Sequence, residues 1–237
     1  MVIDSAKIKK LSKKLGADLV GIGPVARMAD APVNHRPTDY LPNAKSIIAL
    51  AVRINYSAVD NLPKTRYEYV NSGNDASVKL NNAVCGVARK LEETGYSAIP
   101  FFQGSDDHNL TFDISLKHAA VAAGLGEFGL NNLFLSKEYG ARVLLAAVVT
   151  DAELKPDPPF NEELCDLCGA CIKICPMKAL DNPKDYDRKK GWTIDKYKCY
   201  HYIYEILEPA YGSYSCGMCI KACPVGKMKA KKATKKH

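Results

Sequence analysis

Residues 165–176 read Cys165-Asp166-Leu167-Cys168-Gly169-Ala170-Cys171-Ile172-Lys173-Ile174-Cys175-Pro176, four cysteines at the spacing C-x2-C-x2-C-x3-C closed by a proline. Thiolates are soft, electron-rich ligands, and this compact spacing is that of a run binding iron–sulfur clusters. Three cysteines on one short loop can hold three corners of a 4Fe-4S cube, and the fourth points to a neighbouring cube. Zinc uses paired C-x2-C knuckles instead, and three closely spaced cysteines closed by Cys-Pro do not suit it. Pro176 fits a first helical turn, where its missing N–H costs nothing.

A second run follows at Cys216, Cys219 and Cys223, with Pro224 after it. In the first run the other cysteines lie 4, 7 and 10 residues before Cys175; in the second they lie 4 and 7 before Cys223, and Ser213 takes the remaining place. One ligand is missing locally, and Cys199 stands upstream in DKYKCYHY. The economical solution recruits it. Cluster 1 is then expected on Cys165, Cys168, Cys171 and Cys223, and cluster 2 on Cys175, Cys199, Cys216 and Cys219. The ninth cysteine, Cys85, lies on the apolar side of a helical pattern, NNAVCGVARKLEE, and reads as a buried inert thiol.

Outward from the cysteines, the 237 residues are 47% hydrophobic and 25% charged, ordinary for a globular protein and unlike a disordered or fibrous one. The longest apolar runs, Ile47–Val52 and Val143–Val149, are far too short to span a bilayer, and the opening MVIDSAKIKKLSKK has no apolar core of a secretory signal. A cytoplasmic location with no membrane partner is the expectation. The formal net charge is +7, and six of those charges are the lysines of the tail Lys227–His237, which contains no acid. That tail reads as disordered and solubilising, with a weak electrostatic contact to nucleic acid as the sharper alternative.

Residues 5–15 read as an amphipathic helix with Ser5 as N-cap and Gly16 as its stop, and ADLVGIGPV as a short strand. LPNAKSIIALAV, YSAIPFF and ARVLLAAVVTD read as further strands, with helices over 76–94 and 115–126 between them. Helices alternating with apolar strands predict an α/β layer. The expected fold class is α+β or α/β, organised as an α/β domain over 1–155, a ferredoxin-like two-cluster domain over 156–226, and the basic tail 227–237. DAELKPDPPFNEE, with its three prolines, is the linker between the first two.

Gly124, Gly126 and Gly129 spell G-x-G-x-x-G in AGLGEFGLNN, but after a helix rather than a strand, so a dinucleotide site is not expected. These glycines let another group approach the backbone closely, either a packed element or a large flat cofactor. Asp106-Asp107-His108 begins like a cobalt-ligating D-x-H-x-x-G motif, but residue 111 is Thr, and the stretch reads as a polar loop.

SLKHAAVAAGLGEFGLNNLFLSKEYGARVLLAAVVTDAEL, followed by the cysteine run, resembles the superfamily of epoxyqueuosine reductases and reductive dehalogenases, as do ADLVGIGPV and LPNAKSIIALAV. The Cys199 arrangement is also that superfamily's ligand pattern. The chain is expected to be a short member without the C-terminal helical-repeat domain. The resemblance implies a corrinoid-type α/β domain over 1–155, with a base-off cobalamin between it and the ferredoxin-like domain, fed with electrons through the two clusters. It maps the corrinoid-contacting loop to Gly124, Leu125, Gly126, Gly129 and Asn131. It makes Asp113 the candidate proton donor, if burial raises its pKa, with a helix N-cap as its other reading. Tyr139 is a visible tyrosine near the catalytic region of the dehalogenase branch. The implied partners are a low-potential donor such as a ferredoxin or flavodoxin, and a small-molecule or tRNA substrate. Electron delivery to a separate protein, without a substrate of its own, stays open as an alternative.

Overall fold

The structure, a computed structural model, describes residues 4–102, 110–181, 183–212 and 215–227. The first part contains α1 (Ser5–Lys14), β1 (Leu19–Pro24), α2 (Pro37–Tyr40), β2 (Ser46–Arg53), α3 (Tyr56–Asp60), α4 (Arg66–Glu92) and β3 (Ala98–Phe101). It continues through α5 (Leu116–Ala122), β4 (Gly126–Phe128), β5 (Phe134–Ser136) and β6 (Val143–Thr150). The cysteine-rich part contains α6 (Ala170–Ile174), α7 (Lys196–His201), α8 (Glu208–Tyr211) and α9 (Met218–Ala222).

Four strands form one sheet in the order β1-β2-β6-β3, and every neighbouring pair is antiparallel. The expectation of an α/β layer is corrected here: the N-terminal part is an antiparallel sheet with helices on both faces. The misleading signal was the unbroken apolar character of β2 and β6, which suits a parallel strand but follows here from two-sided burial. The strand alternation divides β2 cleanly. Ile48, Leu50 and Val52 meet α1 and α4 on one face, through Ile8, Leu80, Val84, Val87 and Leu91. On the other face Ile47 joins Ala119 and Ala122 of α5, and Ala49 and Ala51 join its neighbours Ala120 and Ala123. Small residues bring α5 close: a Cβ at Gly23 would collide with the Ala122 carbonyl, and one at Gly21 would lie 2.5 Å from that of Ala123.

Two boundaries differ from the sequence reading. The N-cap of α1 is Asp4, whose side chain accepts a hydrogen bond from Lys7 N at 2.8 Å, rather than Ser5. Helix α4 begins ten residues before the predicted 76, because Arg66 and Tyr69 are buried against the cysteine-rich part rather than in the apolar core. Beyond α7 the chain makes a π-helical turn over Tyr202–Leu207, which Pro209 accounts for by withholding the N–H that Glu205 would otherwise accept. Among the described residues, no helix is long and apolar enough to cross a membrane. The tail from residue 228 and Asp106-Asp107-His108 lie outside the described residues.

Candidate iron–sulfur site

The two cysteine runs fold as copies of one unit. Gly169 and Gly217 sit at φ 69° and 68° and turn the chain into the single-turn helices α6 and α9, which pack together. Only glycine takes that backbone conformation cheaply. Each helix stops at a cysteine in extended conformation, Cys175 at ψ 115° and Cys223 at ψ 124°, because the proline that follows disfavours a helical residue before it. The extended backbone sends each last cysteine away from its own run.

Every cysteine is free, and the mutual influence of the thiols sorts them. Burial first, then the charges of Cys165 and Cys223, pushes the Cys171 thiol up to about 11. Cys223 is pushed up by burial and then feels Cys165 and Cys168. Burial, then Cys216 and Cys175, pushes Cys199 up to about 11. Cys219 is pushed well up by burial and then by Cys216, Cys199, Cys171 and Cys175. Cys165, Cys168, Cys171 and Cys223 thus form one group, and Cys175, Cys199, Cys216 and Cys219 a second beside it. The raised thiols, Cys171 and Cys223 in one group and Cys199, Cys216 and Cys219 in the other, resist ionising, which a cationic iron core would relieve.

The first group lines a small, partly open cavity together with Gly129, Leu130, Asn131, Leu135, Gly169 and Val225. Among the described residues no three His, Cys, Asp or Glu side chains converge tightly enough for one bare metal ion. Backbone N–H groups already aim at sulfur: Leu130 N donates to Cys165 Sγ at 3.4 Å and Ala179 N to Cys175 Sγ at 3.3 Å. Such donors stabilise the thiolate and shift a cluster's potential.

The sheet part holds the first group by two buried charged side chains. Glu127, 4% exposed, accepts from Leu164 N at 2.9 Å and Cys165 N at 2.8 Å, and pairs with Arg188 at 2.9 Å. Arg142, fully buried at the head of β6, donates to the carbonyls of Cys223 and Val225 and pairs with Asp60 at 3.0 Å. Around the second group, Gly217 lies against Leu62 and Tyr69, and Arg66 donates to Ser215 O at 3.5 Å. Tyr69 is pushed up to about 12, chiefly by burial and also by Cys219 and Cys216.

The bend AGLGEFGLNN docks the two parts. Phe128 N donates to Arg188 O at 2.7 Å, Tyr186 Oη to Phe128 O at 2.6 Å, and Trp192 Nε1 to Leu130 O at 3.1 Å. Two of the glycines that the resemblance maps to a corrinoid, Gly124 and Gly126, are in close contact with the protein's own backbone: added Cβ atoms there would collide with the carbonyls of Pro158 and Leu135. Leu125 packs at Gly21 and into the α5 core. Gly129 and Asn131 line the thiol cavity, and Asn131 Oδ1 accepts from Leu133 N at 3.1 Å.

Asp113 is exposed, and the N-cap of α5 is Ser115 rather than Asp113. Tyr139 is half-buried beside Asp18, Tyr56 and Arg53, its pKa raised by burial and then by the first two. Cys85 is half-buried, not buried, with Sγ 3.6 Å from Asn81 Oδ1. Glu127, Arg142, Arg66 and Lys117 were not singled out from the sequence. The available signal was a lone charge in an apolar or glycine-rich stretch, as Glu127 is in GLGEFG and Arg142 before VLLAAVV.

Residues 164–227 match the family model of the 4Fe-4S dicluster domain. The tetrachloroethene reductive dehalogenase of Dehalobacter restrictus is 26% identical over 94% of this chain and 48% of its own length. The epoxyqueuosine reductase of Escherichia coli is 28% identical over 80% of this chain and 50% of its own. The chain is a homologue of the reductive dehalogenases and epoxyqueuosine reductases. Solved members of both groups share its fold. The catabolic reductive dehalogenase NpRdhA superposes with a TM-score of 0.74 at 21% identity, over 94% of this chain and 32% of the other. The epoxyqueuosine reductase from Bacillus subtilis does so with a TM-score of 0.67 at 21%, over 94% and 65%. The chain spans about half the length of the curated relatives it matches.

Proposed function

We propose that this chain is the electron-transfer core of a cobalamin-dependent reductase. The observation that carries the reading is the sorting of eight cysteines, from separate segments, into two groups of four that exchange their Cys-Pro members. Cys165, Cys168, Cys171 and Cys223 hold cluster 1, and Cys175, Cys199, Cys216 and Cys219 hold cluster 2. A 4Fe-4S cluster, when bound, supplies transfer of one electron at a time. The chain's own residues do the rest. Cys171 and Cys223 are buried, and Leu130, Leu180 and Trp192 pack beside Cys171, while Cys168 stays exposed. Glu127 and Arg142 fix the backbone at Cys165 and Cys223, at opposite ends of the first group.

The cobalamin part of the reading is supported by the homologues, among them a reductive dehalogenase whose solved structure concerns B12-dependent dehalogenation. In this reading the corrinoid would meet the loop of Gly124, Leu125, Gly126, Gly129 and Asn131. The electron donor fitting this reading is a low-potential ferredoxin or flavodoxin in the cytoplasm. The domain limits 1–155, 156–226 and 227–237 belong to the same reading.

Anaerobic reconstitution tests it. Iron, sulfide and cobalt are counted per chain, the reduced protein is studied by electron paramagnetic resonance, and cobalamin is titrated in by visible spectroscopy. Iron and sulfide for two cubes, with a spectral change on adding cobalamin, are expected. Iron for one cube or none overturns the cluster assignment; two cubes with no cobalamin binding overturn the corrinoid part alone.

A further inference from the structure

The cations near the two thiol groups are handled differently. Beside cluster 1, each cation has its own carboxylate: Arg142 pairs with Asp60 at 3.0 Å, and Arg188 with Glu127 at 2.9 Å and Glu163 at 3.1 Å. Beside cluster 2, two cations meet only neutral groups among the described residues. Lys117 Nζ donates to Asn132 O at 2.8 Å and lies 5.7 Å from the centroid of the Phe128 ring. Arg66, 7% exposed, donates to Ser215 O and sits over Tyr211 at 5.6 Å. Both lie within the electrostatic reach of the second group, Lys117 of Cys199 and Cys219, and Arg66 of Cys216, whose preceding residue supplies the carbonyl to which Arg66 donates.

A desolvated cation without an anion is costly, and proteins supply it with a partner. Burial accordingly pushes the Lys117 pKa down, while those two thiols push it up. The four thiolates of a bound cluster are the anion that this pocket otherwise lacks. We infer that Lys117 of α5 and Arg66 of α4 are the built-in counter-ions of cluster 2, and that they make it the more readily reduced of the two clusters. This rests on the cluster assignment proposed above. The physical basis is direct. Adding one electron to the site deepens its negative charge, with no bond made or broken, and a nearby fixed cation in a medium of low dielectric favours the more negative state. The residues are positioning and electrostatic elements, since neither is a ligand.

The test is a redox titration of reconstituted full-length protein, followed by electron paramagnetic resonance, with Cys199→Ser used to identify the cluster 2 signal. Lys117→Met and Arg66→Met are each expected to move the cluster 2 midpoint to more negative potential while that of cluster 1 stays put. Lys117→Arg and Arg66→Lys, which keep the charge, are expected to stay near the parent value. Both clusters present with unchanged midpoints in the Met variants overturns the inference, as does an equal shift of both clusters. Where a Met variant fails to assemble cluster 2, the charge-keeping variants decide. Assembly with the parent potential upholds the counter-ion role, and failure there too reduces both residues to packing. If the unaltered protein assembles no second cluster, the cluster assignment itself falls, an outcome separate from these.

Discussion

Cys199 shows how a single residue decides a site. It stands seventeen residues before Cys216, outside either run, and the chain places it within the influence of Cys216 and Cys175. Cys199→Ser is expected to remove cluster 2 while cluster 1 survives, read as loss of one of two signals in electron paramagnetic resonance and of half the iron. Glu127→Ala leaves the N–H groups of Leu164 and Cys165 and the Arg188 guanidinium without their buried acceptor, at about 1–3 kcal/mol for each buried group left unpaired. It should weaken cluster 1 selectively; Glu127→Gln, which keeps an acceptor oxygen, should recover much of the iron. The raised thiols also carry a pH signature. In the iron-free protein Cys171 and Cys199 titrate at about 11, above the ordinary thiol value of 9.0, so folding favours their protonated forms. That contribution is complete below about pH 9 and is lost as pH rises toward 11. Urea midpoints of the iron-free protein should therefore fall across that window, and those of the loaded protein, whose thiolates are held by iron, should not. The cysteines were legible because ligand chemistry dictates their count and spacing. Glu127 and Arg142 were not, because their partners are backbone groups distant in sequence.

The elements were partly legible, and the errors have physical causes. Strands β1, β2, β3 and β6 follow from their apolar runs, but their direction does not, since two-sided burial erases the alternation that would mark an antiparallel strand. The first turns of α4 escaped because RYEYVNSGND has no core-facing stripe; its buried residues face Gly217 and Ser215 instead. Helix α5 lies flat on the sheet because its inner face is alanine and the strand beneath it is glycine. Gly23→Ala drives a methyl into the Ala122 carbonyl. It is expected to lower stability by about 1–3 kcal/mol, measured by chemical denaturation, since backbone rather than a flexible side chain must yield. The glycine bend was singled out for close approach, and the approach the structure shows is that of the protein's own backbone at Gly124 and Gly126.

At the scale of the molecule, the two parts differ in what holds them. The sheet part owns an apolar core built on β2, β6, α4 and α5, whereas the buried clusters of the other part contain Cys171 and Cys223, with Cys165, Cys175 and Cys219 packed against them. Much of that second core is therefore ligand. Stripping the iron with a chelator is expected to raise amide hydrogen exchange across 164–223 while β2 and β6 stay protected, a difference read by mass spectrometry. Uniform protection after iron removal would show that the cysteine-rich part stands without its metal. The exchange of Cys175 and Cys223 between the two runs sets an order of events for biosynthesis. On the proposed assignment cluster 2 has its full set of anchors once translation has passed Cys219 and cluster 1 only once it has passed Cys223, so a ribosome paused between the runs displays an open, oxidisable set of thiols.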